Sequence, residues 1–258
     1  MTVIPRAGGV SSSRRSCCQT LAAVNTGSSV FADDDTFEKT VMPLSLRLYE
    51  DALANGAEAS LPALPRMIFV VHGTVVIADR TLRDDEAWSG ENAVVLKAGR
   101  EGATLWRWEF ASGDAAGGAL SGHGAVSREK LSATLATVPK GPLLLRGDSV
   151  AFPPGGCAYL HRHQGPGIRC LLEGGIRIDS DGRSTSYGPG SPWYESGPDP
   201  VFAQAADRST RFVRVMILPL AYLGKSSVEY LNEADKAKPR LQQYKIFADM
   251  PLRSHSGL

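Results

Sequence analysis

The sequence predicts an all-β chain of two tandem β-barrels followed by a short C-terminal helix and arm. Three observations carry this expectation. A stretch of sequence repeats at a fixed offset. The repeated unit consists of short runs rich in Val, Ile, Phe and Trp, punctuated by Gly, Pro and Asp. Helical signal is weak until near the end of the chain.

The repeat lies at an offset of 107 residues, where the segment from Ser89 to Ala98 falls on the segment from Ser196 to Ala205. Without a gap, Leu105-Trp106-Arg107-Trp108-Glu109-Phe110 then lies over Phe212-Val213-Arg214-Val215-Met216-Ile217, so Arg107 falls on Arg214. Upstream, the run from Ile68 to Ile77 matches Arg169 to Ile178 at an offset of 101, which places a longer loop in the second copy. Asp181-Gly182 is a hairpin-turn signal after Ile176-Arg177-Ile178. Many short, evenly spaced strands indicate a sandwich or a barrel. Near the end, SSVEYLNEADK (Ser226 to Lys236) reads as a serine-capped helix. The segment from Gln242 to Phe247 reads as an extended arm on the body or on a second subunit. The expected division is a tail over 1–30, a first barrel over 31–135, a second over 136–220 and a helix with arm over 221–258.

The 258 residues are 43% hydrophobic and 21% charged, with a formal net charge of +1. Such neutrality gives no electrostatic reason to expect nucleic acid or an anionic membrane as partner. No apolar run is long enough for a membrane-spanning helix. The first 32 residues hold no acidic residue, but Arg6, Arg14, Arg15 and a serine run. That composition fits a transit peptide, a flexible bacterial N-terminus or a misassigned start equally well. Cys17, Cys18, Cys157 and Cys170 form neither a disulfide framework nor a CxxC zinc pattern, so free thiols in a reducing, cytoplasmic setting are expected.

The second copy carries the chemistry. Gly155 is followed after five residues by His161-Arg162-His163, after three more by Gly167, and after six more by Gly174. This spacing resembles the first motif of the cupin superfamily, G-x5-H-x-H-x3,4-E-x6-G. The resemblance spans both copies, about residues 35 to 220, and implies a bicupin: two double-stranded β-helix (jelly-roll) barrels in tandem. It implies that His161 and His163 point into the barrel and share a divalent transition metal (Fe, Mn, Ni or Zn). Two positions depart from the pattern. Gly167 stands at the glutamate position, and in a loose match to the second family motif Val201 stands at the histidine position. Glu195, in Trp193-Tyr194-Glu195-Ser196-Gly197, is the candidate replacement ligand and proton carrier. It is expected on a strand beside the histidine strand.

Tyr159 and Arg169 are expected to face inward by alternation. Tyr159 would act as hydrogen-bond donor or acid. Arg169 would hold a substrate carboxylate, or pair with Glu173 or Glu195 across the sheet. In the first copy the motif positions hold Ser60, Pro62 and Arg66, so that barrel is expected to be structural. Trp106 and Trp108 are expected in a core or interface. Arg107 and Arg214 are expected to share a structural ion-pairing role. Two functional readings follow: a metal-dependent enzyme acting on a small organic or aromatic acid, with a dioxygenase favoured over an isomerase or lyase, or a degenerate barrel that binds a small molecule without turnover. A homodimer is expected.

Overall fold

A computed structural model of the chain describes residues 43–113, 118, 120 and 122–253. The N-terminal tail, with Cys17 and Cys18, lies outside the described residues. Strands β1 (Leu44–Leu53), β2 (Glu58–Leu61), β3 (Arg66–Ile77), β4 (Arg80–Arg83), β5 (Ala87–Gly90), β6 (Val94–Ser112) and β7 (Ala125–Thr134) form one seven-stranded sheet. Its backbone order is β4-β3-β6-β1-β7, with β2 on β6 and β5 on β3. Bulges between Val70 and His72 and between Gly73 and Val75 bend the long β3–β6 pair, so this single sheet curls around its own core.

The second barrel uses two five-stranded sheets. One contains β8 (Leu143–Phe152), β10 (Gly167–Glu173), β13 (Pro192–Glu195), β15 (Thr210–Pro219) and β17 (Gln243–Pro251), in the order β13-β10-β15-β8-β17. The other contains β9 (Cys157–His163), β11 (Ile176–Ser180), β12 (Arg183–Tyr187), β14 (Val201–Ala205) and β16 (Val228–Tyr230), in the order β12-β11-β14-β9-β16. The expected Asp181-Gly182 turn joins β11 to β12, with φ of 51° and 68° at the two residues. Positive φ at both central positions matches the right-handed twist of the hairpin.

Strand alternation explains why β6, β10 and β15 are buried on both faces. On β15, Val213, Val215 and Ile217 face the first barrel, whereas Phe212 and Arg214 face the interior of their own. On β10, Ile168 and Cys170 face the seam, and Arg169 and Leu171 the interior. The first barrel answers with Leu46, Leu48, Met67, Phe69, Trp106 and Trp108. Trp108 donates its indole N–H to the carbonyl of Ile168, 3.1 Å away across the seam. Trp106 and Trp108 are thus seam residues, as expected.

Arg107 and Arg214 do share a role. Arg107 pairs with Asp51 at 2.7 Å, and Arg214 with Asp148 at 2.6 Å. In the first barrel Arg66 and Glu109 complete a fully buried charged cluster, with Arg66 Nε 2.9 Å and Arg107 Nη1 2.7 Å from Glu109 Oε1. These four groups sum to zero charge.

The C-terminal segment differs from expectation. Val228–Tyr230 is strand β16, paired with the histidine strand β9, and only Glu233–Lys236 is helical (α1). The β-branched and aromatic side chains of Val228 and Tyr230 find cross-strand partners there, and packing overrides the weak local helical preference. The arm is strand β17, which pairs with β8 of the same chain. Phe247 packs edge-on against Phe69 at 5.4 Å, and Lys245 pairs with Asp85 at 2.9 Å, so β17 also ties the two barrels together.

Removing one partner of a buried ion pair strands the other charge. Asp51→Ala is expected to lower the unfolding free energy by about 3–5 kcal/mol. Urea denaturation measures it, with the midpoint falling at unchanged slope.

Candidate functional site

Strand β9 brings His161 and His163 to one face, and each is 5% exposed. Their ring centroids are 4.9 Å apart and their planes nearly perpendicular, at 87°. The Nδ1 of His161 lies 2.7 Å from the carbonyl oxygen of Tyr159. A carbonyl only accepts, so Nδ1 carries the proton and Nε2 presents a lone pair.

Tyr159 itself does not join them. Val201 of β14 pairs with His161, but Ala203 pairs with Ala158, so β9 carries one extra residue in between. This bulge puts Ala158, not Tyr159, on the histidines' face. The Tyr159 ring instead lies under the ammonium group of Lys238, 4.1 Å from its centroid. The expectation of an inward acid at Tyr159 is therefore corrected.

Arg169 faces inward and is fully buried. Its Nη1 donates to the carbonyl of Gly167 at 2.6 Å, and its Nη2 lies 2.7 Å from Glu195 Oε2. Of the two partners weighed for it, Glu195 is the one it meets. A Cβ at residue 167 would stand 2.5 Å from the Val215 carbonyl oxygen and 3.0 Å from Arg169 Nη1. The first obstacles to a side chain there are the Val215 carbonyl and the Met216 side chain, at 2.5 and 2.8 Å, with the guanidinium next. The cross-strand partner of Gly167 on β13 is Glu195, so a carboxylate is supplied one strand over. Here the structure corrects the sequence reading again. Strand β13 belongs to the sheet facing β9, and Glu195 reaches the histidines from across the barrel. Its Oε2 lies 3.4 Å from His163 Nε2, and its Oε1 accepts the Trp193 indole N–H at 2.8 Å.

These groups line a cavity of about 20 Å³, together with Arg214, Tyr230 and Tyr244. The two tyrosines escaped the sequence reading because they sit on β16 and β17, taken for helix and arm. Tyr230 is the cross-strand partner of His161, with rings 6.0 Å apart. Two larger clefts flank the cavity. One of about 360 Å³ reaches His163 past Val138, Pro139 and Gln164. The other, about 260 Å³, reaches Glu195 past Tyr187, Trp193 and Tyr194.

No family model and no curated protein sequence matches the chain. Solved structures do. The oxalate decarboxylase of Lactobacillus farciminis, in a formate complex, aligns with a TM-score of 0.55 at 13% identity, over 75% of this chain and 82% of that one. A variant of the Bacillus subtilis oxalate decarboxylase aligns at 0.52 and 15% identity, over 77% and 74%. This chain has the bicupin fold. At such identity the likeness is one of architecture, and the chemistry of this chain rests on its own residues.

Those residues fit a divalent cation in donor type and in room. The cavity holds about one water-sized body, and two neutral imidazoles with a carboxylate are a common donor set for transition metals. Two of the three donors, His163 Nε2 and Glu195 Oε2, stand 3.4 Å apart. The set is not closed as the side chains stand. Among the described residues, no group of three or more His, Cys, Asp or Glu is placed to hold a metal ion. Glu195 Oε2 is held on Arg169 instead.

Electrostatics keep the cavity neutral overall. Burial lowers Arg169 to about 10, against the opposing charge of Glu195 and with the repulsion of Arg214, so it remains a cation at pH 7. Burial would push the Glu195 carboxyl up, but the charge of Arg169 and the neighbouring His163 override it and hold it well below the usual carboxylate range. Arg169 and Glu195 cancel, as do Arg214 and Asp148. Burial lowers both imidazoles, His163 to about 3, with Arg169 and Arg214 acting in the same direction.

An imidazole protonated at an ordinary pH of about 6.5 when unfolded, but only far lower when folded, binds more protons in the unfolded state. The stability it contributes is present above pH 6.5 and is lost as pH falls toward 3. In urea titrations, His163→Gln is expected to lose less unfolding free energy than wild type between pH 7 and pH 4.5. Equal losses would mean that His163 is not buried as the neutral form.

Proposed function

We propose that the second barrel binds a small organic or aromatic acid beside a divalent transition metal held by His161, His163 and Glu195, and acts on that acid as an enzyme. The observation that carries this reading is the pair of buried, mutually touching imidazoles with a carboxylate 3.4 Å from one of them. His161 offers Nε2, because Tyr159 fixes its tautomer. Trp193 steadies the Glu195 carboxylate through Oε1 and leaves Oε2 as the donor. Arg169 binds the acid's carboxylate through its planar fork. The cleft lined by Tyr187, Trp193 and Tyr194 receives the acid's body, and its aromatic walls suit a flat ring. Tyr230, whose phenol burial keeps protonated, stands beside His161 as a proton donor.

A cation held by these residues would supply Lewis acidity and oxygen activation. Among the reactions compatible with such a site we favour oxygenation of the acid. The first barrel, its interior closed by Arg66, Arg107, Asp51 and Glu109, serves as a rigid back plate.

A second reading has its own support. The absence of a closed three-donor group among the described residues suits a barrel that binds a carboxylate on Arg169 without turnover. Plasma mass spectrometry separates the two. Full-length protein loaded with Mn, Fe, Ni or Zn in the presence of benzoate, then desalted, is expected to hold close to one equivalent of one of them. The His161→Ala/His163→Ala variant is expected to hold almost none. Metal-free wild type under every loading condition supports the binding protein. With the preferred metal bound, oxygen consumption on addition of small aromatic acids is expected, and its absence across a panel removes the oxygenase assignment.

A further inference from the structure

We infer that the Arg169–Glu195 ion pair is an internal latch: Glu195 occupies the position of a ligand carboxylate on Arg169, and an incoming acid displaces it toward the imidazoles. Cation and acid then bind with positive coupling. This rests on the metal-site reading above and adds to it a rule of binding order and linkage.

Room is the first argument. The inner cavity, at about 20 Å³, admits one ion or one water but no acid beside it. Arg169 is fully buried, so a carboxylate reaches it only where another group leaves. Glu195 is the group to leave, because it borders both the inner cavity and the 260 Å³ aromatic cleft. One carboxylate replaces another, and the volume needed at Arg169 is the volume vacated.

Charge is the second argument. Arg169, Arg214, Glu195 and Asp148 sum to zero around neutral imidazoles. A dication alone would leave two uncompensated positive charges in a buried site, which is costly. An acid anion on Arg169 removes part of that surplus and at the same time frees Glu195 for the cation.

Geometry is the third. Glu195 Oε2 already lies 3.4 Å from His163 Nε2, so a small side-chain rotation transfers it from one partner to the other. Its present engagement with Arg169 accounts for the open three-donor set. Coupling between two such sites is commonly 5- to 150-fold, and it is reciprocal.

Calorimetric titration of Mn(II) into chelator-treated, full-length protein tests the latch, with and without saturating benzoate. Mn(II) affinity is expected to rise about 10- to 100-fold with benzoate. Benzoate affinity is expected to rise by the same factor with Mn(II). In Glu195→Gln, Arg169 has lost its charged partner, and benzoate is expected to bind the metal-free protein more tightly than it binds wild type. In Arg169→Gln, Mn(II) is expected to bind with no dependence on benzoate. If either variant fails to fold by circular dichroism, the wild-type factor decides alone. Equal Mn(II) affinity with and without benzoate overturns the latch while leaving the metal site standing. No Mn(II) binding under either condition overturns both.

Discussion

The ion pair between Arg169 and Glu195 sets the state of everything else in the second barrel. A buried guanidinium needs a compensating anion, and Glu195 supplies it at 2.7 Å. That contact keeps the cavity neutral and holds a carboxylate within 3.4 Å of His163. A side chain at residue 167 would meet the Val215 carbonyl first, and the carboxylate of the cavity stands instead on the neighbouring strand.

The same device appears, completed, in the first barrel. There the inward charges form a closed set, Arg66 and Arg107 with Asp51 and Glu109, and no imidazole is present among them. In the second barrel, Arg214 and Asp148 repeat the Arg107–Asp51 pair. The two histidines then stand where the first barrel has none. One repeated scaffold therefore carries a buried cluster of four charges in one copy and a small polar cavity in the other. The apolar seam, with Trp108 bonded to the Ile168 carbonyl, fixes the back of the cavity by locking β10 against the first barrel.

Much of this was legible in the sequence, for identifiable reasons. The fixed offset that superposes Arg107 on Arg214 reflects a shared ion-pair role. The His161-Arg162-His163 alternation held because β9 is regular at that point. It failed two residues earlier, at Tyr159, because a bulge adds one residue without changing the local composition. Glu195 was reached through the family resemblance, but its sheet was misplaced, since pairing partners far apart along the chain leave no local signal. Tyr230 and Tyr244 were missed because their strands are stabilised by partners β9 and β8, while the local pattern reads as helix or loose arm.

The central claim is that His161, His163 and Glu195 close around one cation when an acid occupies Arg169. Crystals of the full chain grown with Mn(II) and benzoate, with anomalous scattering recorded near the manganese edge, address it directly. The account predicts one peak about 2.0–2.3 Å from the Nε2 atoms of both histidines, Glu195 turned to it, and the benzoate carboxylate on Arg169. A cavity without an anomalous peak, with Glu195 still paired to Arg169, would contradict it.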